Sequence, residues 1–193
     1  MKSLLNLLPL YFLLLLLAGC GASNTTNDQA AAGQSTARDG YWVTFTDSVS
    51  QQSGYKDEAG AIQLPAGKYQ MCFTDTFRTY AVVVHPDSGL VAINRQGQVK
   101  YHVFQFDNGP DDVAEGLFRI QQGDKIGYAD AVSGEIVIAP QFACAYPFAD
   151  GLAKVSNDCQ TEPDGEHSTW ISSSWYSIDK GGNKAKSLVK TKE

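Results

Sequence analysis

Acid–base and metal chemistry would have to come from a small set of side chains. The three histidines are His85, His102 and His167. None stands at H-x-x-x-H or H-E-x-x-H spacing, which would put two ligands on one side of an element. His167 follows Glu166 in "DGEHSTW", a pair able in principle to pass a proton or hold a metal. Both lie in a polar loop, however, and a chance loop pair outweighs that reading. The acid pairs Asp111-Asp112 and Asp57-Glu58 stand in turns and are expected to be solvated loop charges. No G-x-S-x-G elbow and no phosphate-cradling glycine loop is present. We therefore expect no catalysis, no metal and no cofactor, and place Glu166, His167 and Trp170 as candidate partner-binding residues.

The cysteines carry a second kind of chemistry. Cys20 ends the run "LLNLLPLYFLLLLLAGC", in which one lysine precedes an apolar stretch shorter than a membrane span. Leu17-Ala18-Gly19-Cys20 resembles the lipobox of bacterial lipoproteins. The resemblance implies cleavage before Cys20, a diacylglyceryl group on its sulfur, and a signal peptide over residues 1–19. Two acyl chains suffice for a stable membrane anchor. Gly21 follows the cysteine, where an inner-membrane lipoprotein tends to carry Asp, so the expected address is the cell envelope, on the periplasmic side of the outer membrane if there are two membranes. Residues 20–39, rich in Ala, Ser, Thr, Asn and Gln, read as a tether. Cys72, Cys144 and Cys159 remain for an oxidising compartment. A bridge between Cys144 and Cys159 would close a loop worth about 3 kcal/mol in the chain-entropy account; three unpaired thiols are the alternative, with Cys72 a small hydrophobe.

Residues 40–183 are long enough to bury a core as one domain. Between 39 and 179 stand 19 Asp plus Glu against 8 Lys plus Arg, and lysines crowd residues 184–193. An acidic body argues against nucleic acid, whose binding requires phosphate neutralisation. The basic tail reads as a solvated end.

Positioning falls to a repeat. "SGYKDEAG" (53–60), "LVAINRQG" (90–97), "IGYADAVSG" (126–134) and "WYSIDKGG" (175–182) align, their glycines Gly60, Gly97, Gly134 and Gly182 being spaced 37, 37 and 48 apart. Asp57, Asn94, Asp130 and Asp179 hold the turn-opening place, where a short polar side chain bonds to its own backbone. A second landmark, "FRTYAVVV", "VAEGLFRI" and "FADGLAKV", recurs at 77, 113 and 148. Between them lie short apolar runs with Pro or Gly breaks, the pattern of strands. Asp-x-x-Gly, an Ile-x-Pro strand, an aromatic and Phe-x-x-Gly-Leu-Ala-x-Val together resemble the bacterial WG-repeat family, best over residues 115–151. The family's tryptophan place is held by Ser53, Leu90, Ile126 and Trp175, so every unit is degenerate. The resemblance implies an all-β array of about four antiparallel hairpin units and a binding or scaffolding role.

The longest break in the period is 156–174, and function concentrates on such segments. There Trp170 could belong to an aromatic platform for glycan or peptide, whereas Trp175, in the family's tryptophan place, is expected in the core. Trp42 and Phe45 alternate like an edge strand capping the array. The expected activity is non-catalytic binding of a protein or envelope partner by a lipid-anchored protein, with a glycan-active hydrolase and an inhibitor or immunity-type lipoprotein as alternatives. Cys20→Ser should leave the precursor unlipidated and uncut, read by mass spectrometry of the membrane fraction; soluble, correctly processed protein would contradict the anchor.

Overall fold

The computed structural model describes residues 40–165 and 167–185, so the segments read above as signal peptide and tether, Cys20 and most of the lysine-rich end lie outside the described residues. Every regular element is a β-strand, and all pairings are antiparallel. No helix among the described residues is long and apolar enough to cross a membrane.

The chain builds one three-strand meander after another. The first is β1 (Trp42–Thr46), β2 (Ser53–Asp57) and β3 (Ile62–Leu64). Short strands β4 (Met71–Cys72) and β5 (Thr76–Phe77) lead to the second meander, β6 (Ala81–His85), β7 (Gly89–Ile93) and β8 (Val99–Val103). A small hairpin, β9 (Gln105–Phe106) and β10 (Gly109–Pro110), precedes the third, β11 (Leu117–Gln122), β12 (Lys125–Asp130) and β13 (Ile136–Phe142). β14 (Cys144–Ala145) and β15 (Leu152–Ser156) follow, then an inserted hairpin, β16 (Gln160–Asp164) and β17 (His167–Ile171). β18 (Tyr176–Asp179) returns to pair with β15, and on its other side Lys184 bridges Ile178, so pairing runs past residue 183.

The turn-opening residues act as their side chains suggest. Asp57 Oδ1 accepts from the backbone N–H of Ala59 and Ala61 at 3.0 and 2.9 Å. Asn94 Oδ1 does the same for Gln96 and Gln98, and Asp179 Oδ1 for Gly181 and Asn183. Asp130 opens a turn one residue longer, taking the N–H of Val132 and Ser133 and the Ser133 hydroxyl, which hold its carboxyl below the usual range. Asp47 makes the same longer turn with Val49 and Ser50 between β1 and β2. Gln51 there has φ 59°, close to the 68° of Gly134, so the period hid a fifth copy.

Two-residue turns make up the second landmark. Glu115-Gly116 and Asp150-Gly151 have positive φ at both residues, closed by paired bonds between Ala114 and Leu117 and between Ala149 and Leu152. These are the left-handed turns that match strand twist. The meanders are also tied through their turns. Thr79 Oγ1 donates to Ser133 O at 2.9 Å, the Glu115 carboxylate accepts the Gly151 N–H, and Lys180 Nζ reaches the Glu115 carboxylate at 3.1 Å.

Burial alternates from meander to meander. Tyr55, Leu64, Phe77, Ala81, Val83, Val91 and Ile93 form a cluster between the first and second sheets. Val82, Ala92, Tyr101, Val103, Phe118 and Ile120 fill the inside of a curved seven-strand sheet ordered β13-β12-β11-β8-β7-β6-β4. Leu117, Ile126, Tyr128, Ile138, Phe142, Ala153, Val155 and Ile178 join that sheet to β14-β15-β18. Tyr55 and Tyr128 repeat one device: each hydroxyl donates to a carbonyl, Thr74 O at 2.8 Å and Tyr146 O at 2.7 Å. Each ring meets a phenylalanine edge-on, Phe77 or Phe148.

Two expectations change. β1 lies inside its sheet, in the order β3-β2-β1-β5, because Thr76 and Phe77 return to pair with Val43 and Trp42; it is no edge strand. Asp111 is buried and paired, as described below, whereas Asp112 is exposed.

Close backbone approach explains the glycine that follows the family's tryptophan place. A Cβ on Gly54 would stand 2.6 Å from Leu64 O, and one on Gly127, where β13 shifts register, would meet Ile138 O and come within 2.5 Å of Pro140 N. In the second meander β8 pairs regularly at that place and Val91 fits. Gly127→Ala should therefore lower the melting temperature. Gly134→Val should cost about 1–3 kcal/mol through positive φ alone, and more because the new Cβ would meet the Tyr80 ring. Unchanged thermal unfolding of either variant would contradict these contacts.

Candidate functional site

Two short hairpins, β9–β10 and the inserted β16–β17, are held by side-chain interactions that the repeated turns do not make. Arg119, on β11, is 4% exposed and Asp111 is 7% exposed. The guanidinium pairs with both carboxylate oxygens of Asp111, and its Nη1 donates to Ala145 O at 3.1 Å. Asp111 Oδ2 also accepts the Arg119 backbone N–H at 2.8 Å. Breaking one side of such a buried pair costs about 3–5 kcal/mol, because the other charge is stranded. The guanidinium carbon stands 4.2 Å from the Phe104 ring centre and 5.9 Å from that of Phe106. The ion pair thus fixes the β9–β10 hairpin and its aromatics against β14.

A row of rings continues from there. Phe104 meets Trp170 edge-on at 6.0 Å, Trp170 meets Tyr146 at 5.3 Å, and Tyr146 meets Trp175 at 5.5 Å. Phe106 and Tyr146 are 52% and 37% exposed. Lys154 Nζ lies 4.6 Å from the Trp175 ring centre and 5.7 Å from that of Tyr146. These residues come from β9, β15, β17 and the segments beside β14 and β18, so no sequence window contains the row.

Two clamps hold the β16–β17 hairpin in place. Cys144 and Cys159 form a disulfide, and Cys72 is a half-buried free thiol. The bridge leaves Tyr146 two residues beyond one sulfur and Thr161, the strand partner of Trp170, two beyond the other. It therefore sets the Tyr146–Trp170 contact. The second clamp is Asp158, whose Oδ1 accepts the hydroxyls of Ser156 at 2.8 Å, Ser172 at 2.6 Å and Ser174. The hydroxyls of Ser172, Ser174 and Ser156 lower its pKa from 3.8 to about 2. This depressed carboxylate supports the fold above its unfolded value, and that support is lost as pH falls from 3.8 through about 2.

The sequence candidates divide. Trp170 is half-buried and packs against the last core cluster with Phe104 and Tyr176. Trp175, expected in the core, is half-buried beside Tyr146 and Lys154. His167 begins β17 opposite Asp164, and Glu166 lies outside the described residues. His102 lines a groove of about 350 Å3 with Leu90, Val103, Gln105, Gln121 and Gly123. No group of three or more His, Cys, Asp or Glu among the described residues could hold a metal ion. Phe104, Phe106, Tyr146 and Lys154 were not legible as a site. Their only sequence signal is aromatic residues beside breaks in the repeat period.

A family profile described as a WG containing repeat matches residues 126–158, a span from β12 through Asp158. The chain is similar to that repeat over one unit. No curated protein and no solved structure matches it.

Peptide mapping without reductant should recover Cys144 and Cys159 in one linked fragment, with Cys72 alone alkylated. After reduction, backbone amides of 160–171 should exchange hydrogen sooner than those of β12. Equal exchange in both would show that the bridge does not brace the hairpin.

Proposed function

We propose that the protein is a lipid-anchored, extracytoplasmic binding module of WG-repeat type, non-catalytic, whose recognition surface is the aromatic row from Phe104 to Trp175 together with the exposed Phe106 ring beside Arg119. The single observation that carries this reading is that two hairpins, β9–β10 within the repeat period and the inserted β16–β17, are fixed by a buried ion pair and a disulfide so that Phe104, Trp170 and Tyr146 join. Rigid, partly exposed aromatic side chains with a nearby cation are what recognition surfaces are made of. Interfaces place aromatics at their centre and polar groups at their rim, and the Phe104–Trp170–Tyr146–Trp175 row with Lys154 beside it follows that plan.

The anchor at Cys20 and the tether of residues 20–39 support the same reading, because a surface on a long leash can reach ligands at the membrane or beyond it. Intact, lipidated protein should retain an envelope component from detergent-solubilised membranes. Phe106→Ala and Tyr146→Ala together should abolish that retention while thermal unfolding stays cooperative. Retention unchanged by the double substitution would place recognition elsewhere on the array.

A further inference from the structure

We infer that the open face of β14, β15 and β18 binds a saccharide, whose ring lies on Tyr146 and Trp175 while its hydroxyls are shared between Asp158 and Lys154. This rests on the aromatic row being the recognition surface, and it names the ligand class.

The outer face of this last sheet is where a further repeat would pack. At the seventh place of the second landmark the chain carries Val83, then Arg119, then Lys154. The first two are buried, the third exposed. A terminal unit of a stacked array needs a polar outer face to stay soluble, and a lysine alone would meet that need. The two aromatic rings set against it do not follow from capping.

Fixed groups of both signs flank the rings. Lys154 forms no ion pair among the described residues, although the body is acidic, and its ammonium stands over Trp175. Ser156 is two residues along β15 on the same face, and its hydroxyl leads to Asp158. All three serine hydroxyls donate to Asp158 Oδ1, and Oδ2 accepts none among the described residues. One oxygen anchors the carboxylate and the other remains to accept. Ser174, which donates to that carboxylate, directly precedes Trp175.

Apolar ring faces, an anchored acceptor and an unpaired donor together match a sugar. A pyranose has apolar C–H faces and a belt of hydroxyls, each able both to donate and to accept. An apolar peptide covering the same face would strand the Asp158 carboxylate and the Lys154 ammonium without partners, which is costly once water is excluded. An acidic peptide would set its own carboxylates against Asp158. Sugar hydroxyls satisfy both groups at once.

Full-length protein in detergent should be titrated by calorimetry and tryptophan fluorescence with two probes, a neutral N-acetylglucosamine oligomer and a carboxylated galacturonate oligomer. Saturable binding of the neutral oligomer, weakened at least tenfold by Trp175→Ala and by Asp158→Asn, is the expected result, and binding of the carboxylated oligomer alone contradicts the role given to Asp158. Should Trp175→Ala fail to fold, Lys154→Gln, on an exposed side chain, must weaken binding instead. Absence of binding by both probes at millimolar concentration, or binding indifferent to Asp158→Asn and Lys154→Gln, overturns the saccharide assignment. If envelope capture still depends on Phe106 and Tyr146 in that case, the recognition surface stands and only its ligand class is refuted; loss of both dependences refutes both.

Discussion

Short strands cannot stand alone, and burial between successive sheets is the constraint from which the rest of this structure follows. Its strands are 2–7 residues long. A hairpin of that size is at best marginal in water. Stability comes instead from faces buried between neighbours: Val83 and Ile93 against Tyr55 and Phe77, then Tyr128 and Ile138 against Ala153, Val155 and Ile178. Each fully buried large apolar side chain contributes about 1.5–3 kcal/mol relative to exposure. The turns therefore need only set strand register. That is why Asp57, Asn94, Asp130 and Asp179 can be exposed or half-buried and still govern the fold, since each fixes which residues face inward.

The same constraint explains where variation is tolerated. The second meander lacks the buried tyrosine of its neighbours, with Ala92 in that place and Val113 exposed where the others bury Phe77 and Phe148. It compensates from within its own sheet, where Tyr101 and Phe118 approach each other and Tyr101 donates to Gly134 O at 2.9 Å. The β9–β10 hairpin enters at this irregular unit, and β16–β17 enters where the period lengthens from 37 to 48. Both hairpins leave the stacked faces intact. They carry polar and charged groups that the stack could not accept, and these groups satisfy one another: Asp111 with Arg119, Asp158 with three serines. A buried charge costs least when its partners are fixed beforehand, and the Asp111–Arg119 pair is built that way, whereas Asp158 is exposed and is held by hydroxyls.

Chain-local chemistry was readable without coordinates. The spacing of Gly60, Gly97, Gly134 and Gly182 with their Asp or Asn partners rests on interactions within a few residues, so the four turns and the all-β character followed from the sequence by itself. The pairing of Cys144 with Cys159 was legible for a related reason, because the two flank one hairpin. Asp47 escaped notice because its turn joins different strands and carries Gln51 where the others carry glycine. Asp111 was misread because Gly109-Pro110 before it and Asp112 after it have the composition of a turn, while its partner Arg119 lies on the next strand. Only tertiary structure decided that Trp170 packs inward beside Phe104, that Trp175 faces Lys154, and that Phe104 to Trp175 form one row. The physical reason is range: a turn is determined by bonds between near neighbours in the chain, whereas a ring contact across 66 residues, as between Phe104 and Trp170, exists only once the sheets between them have stacked.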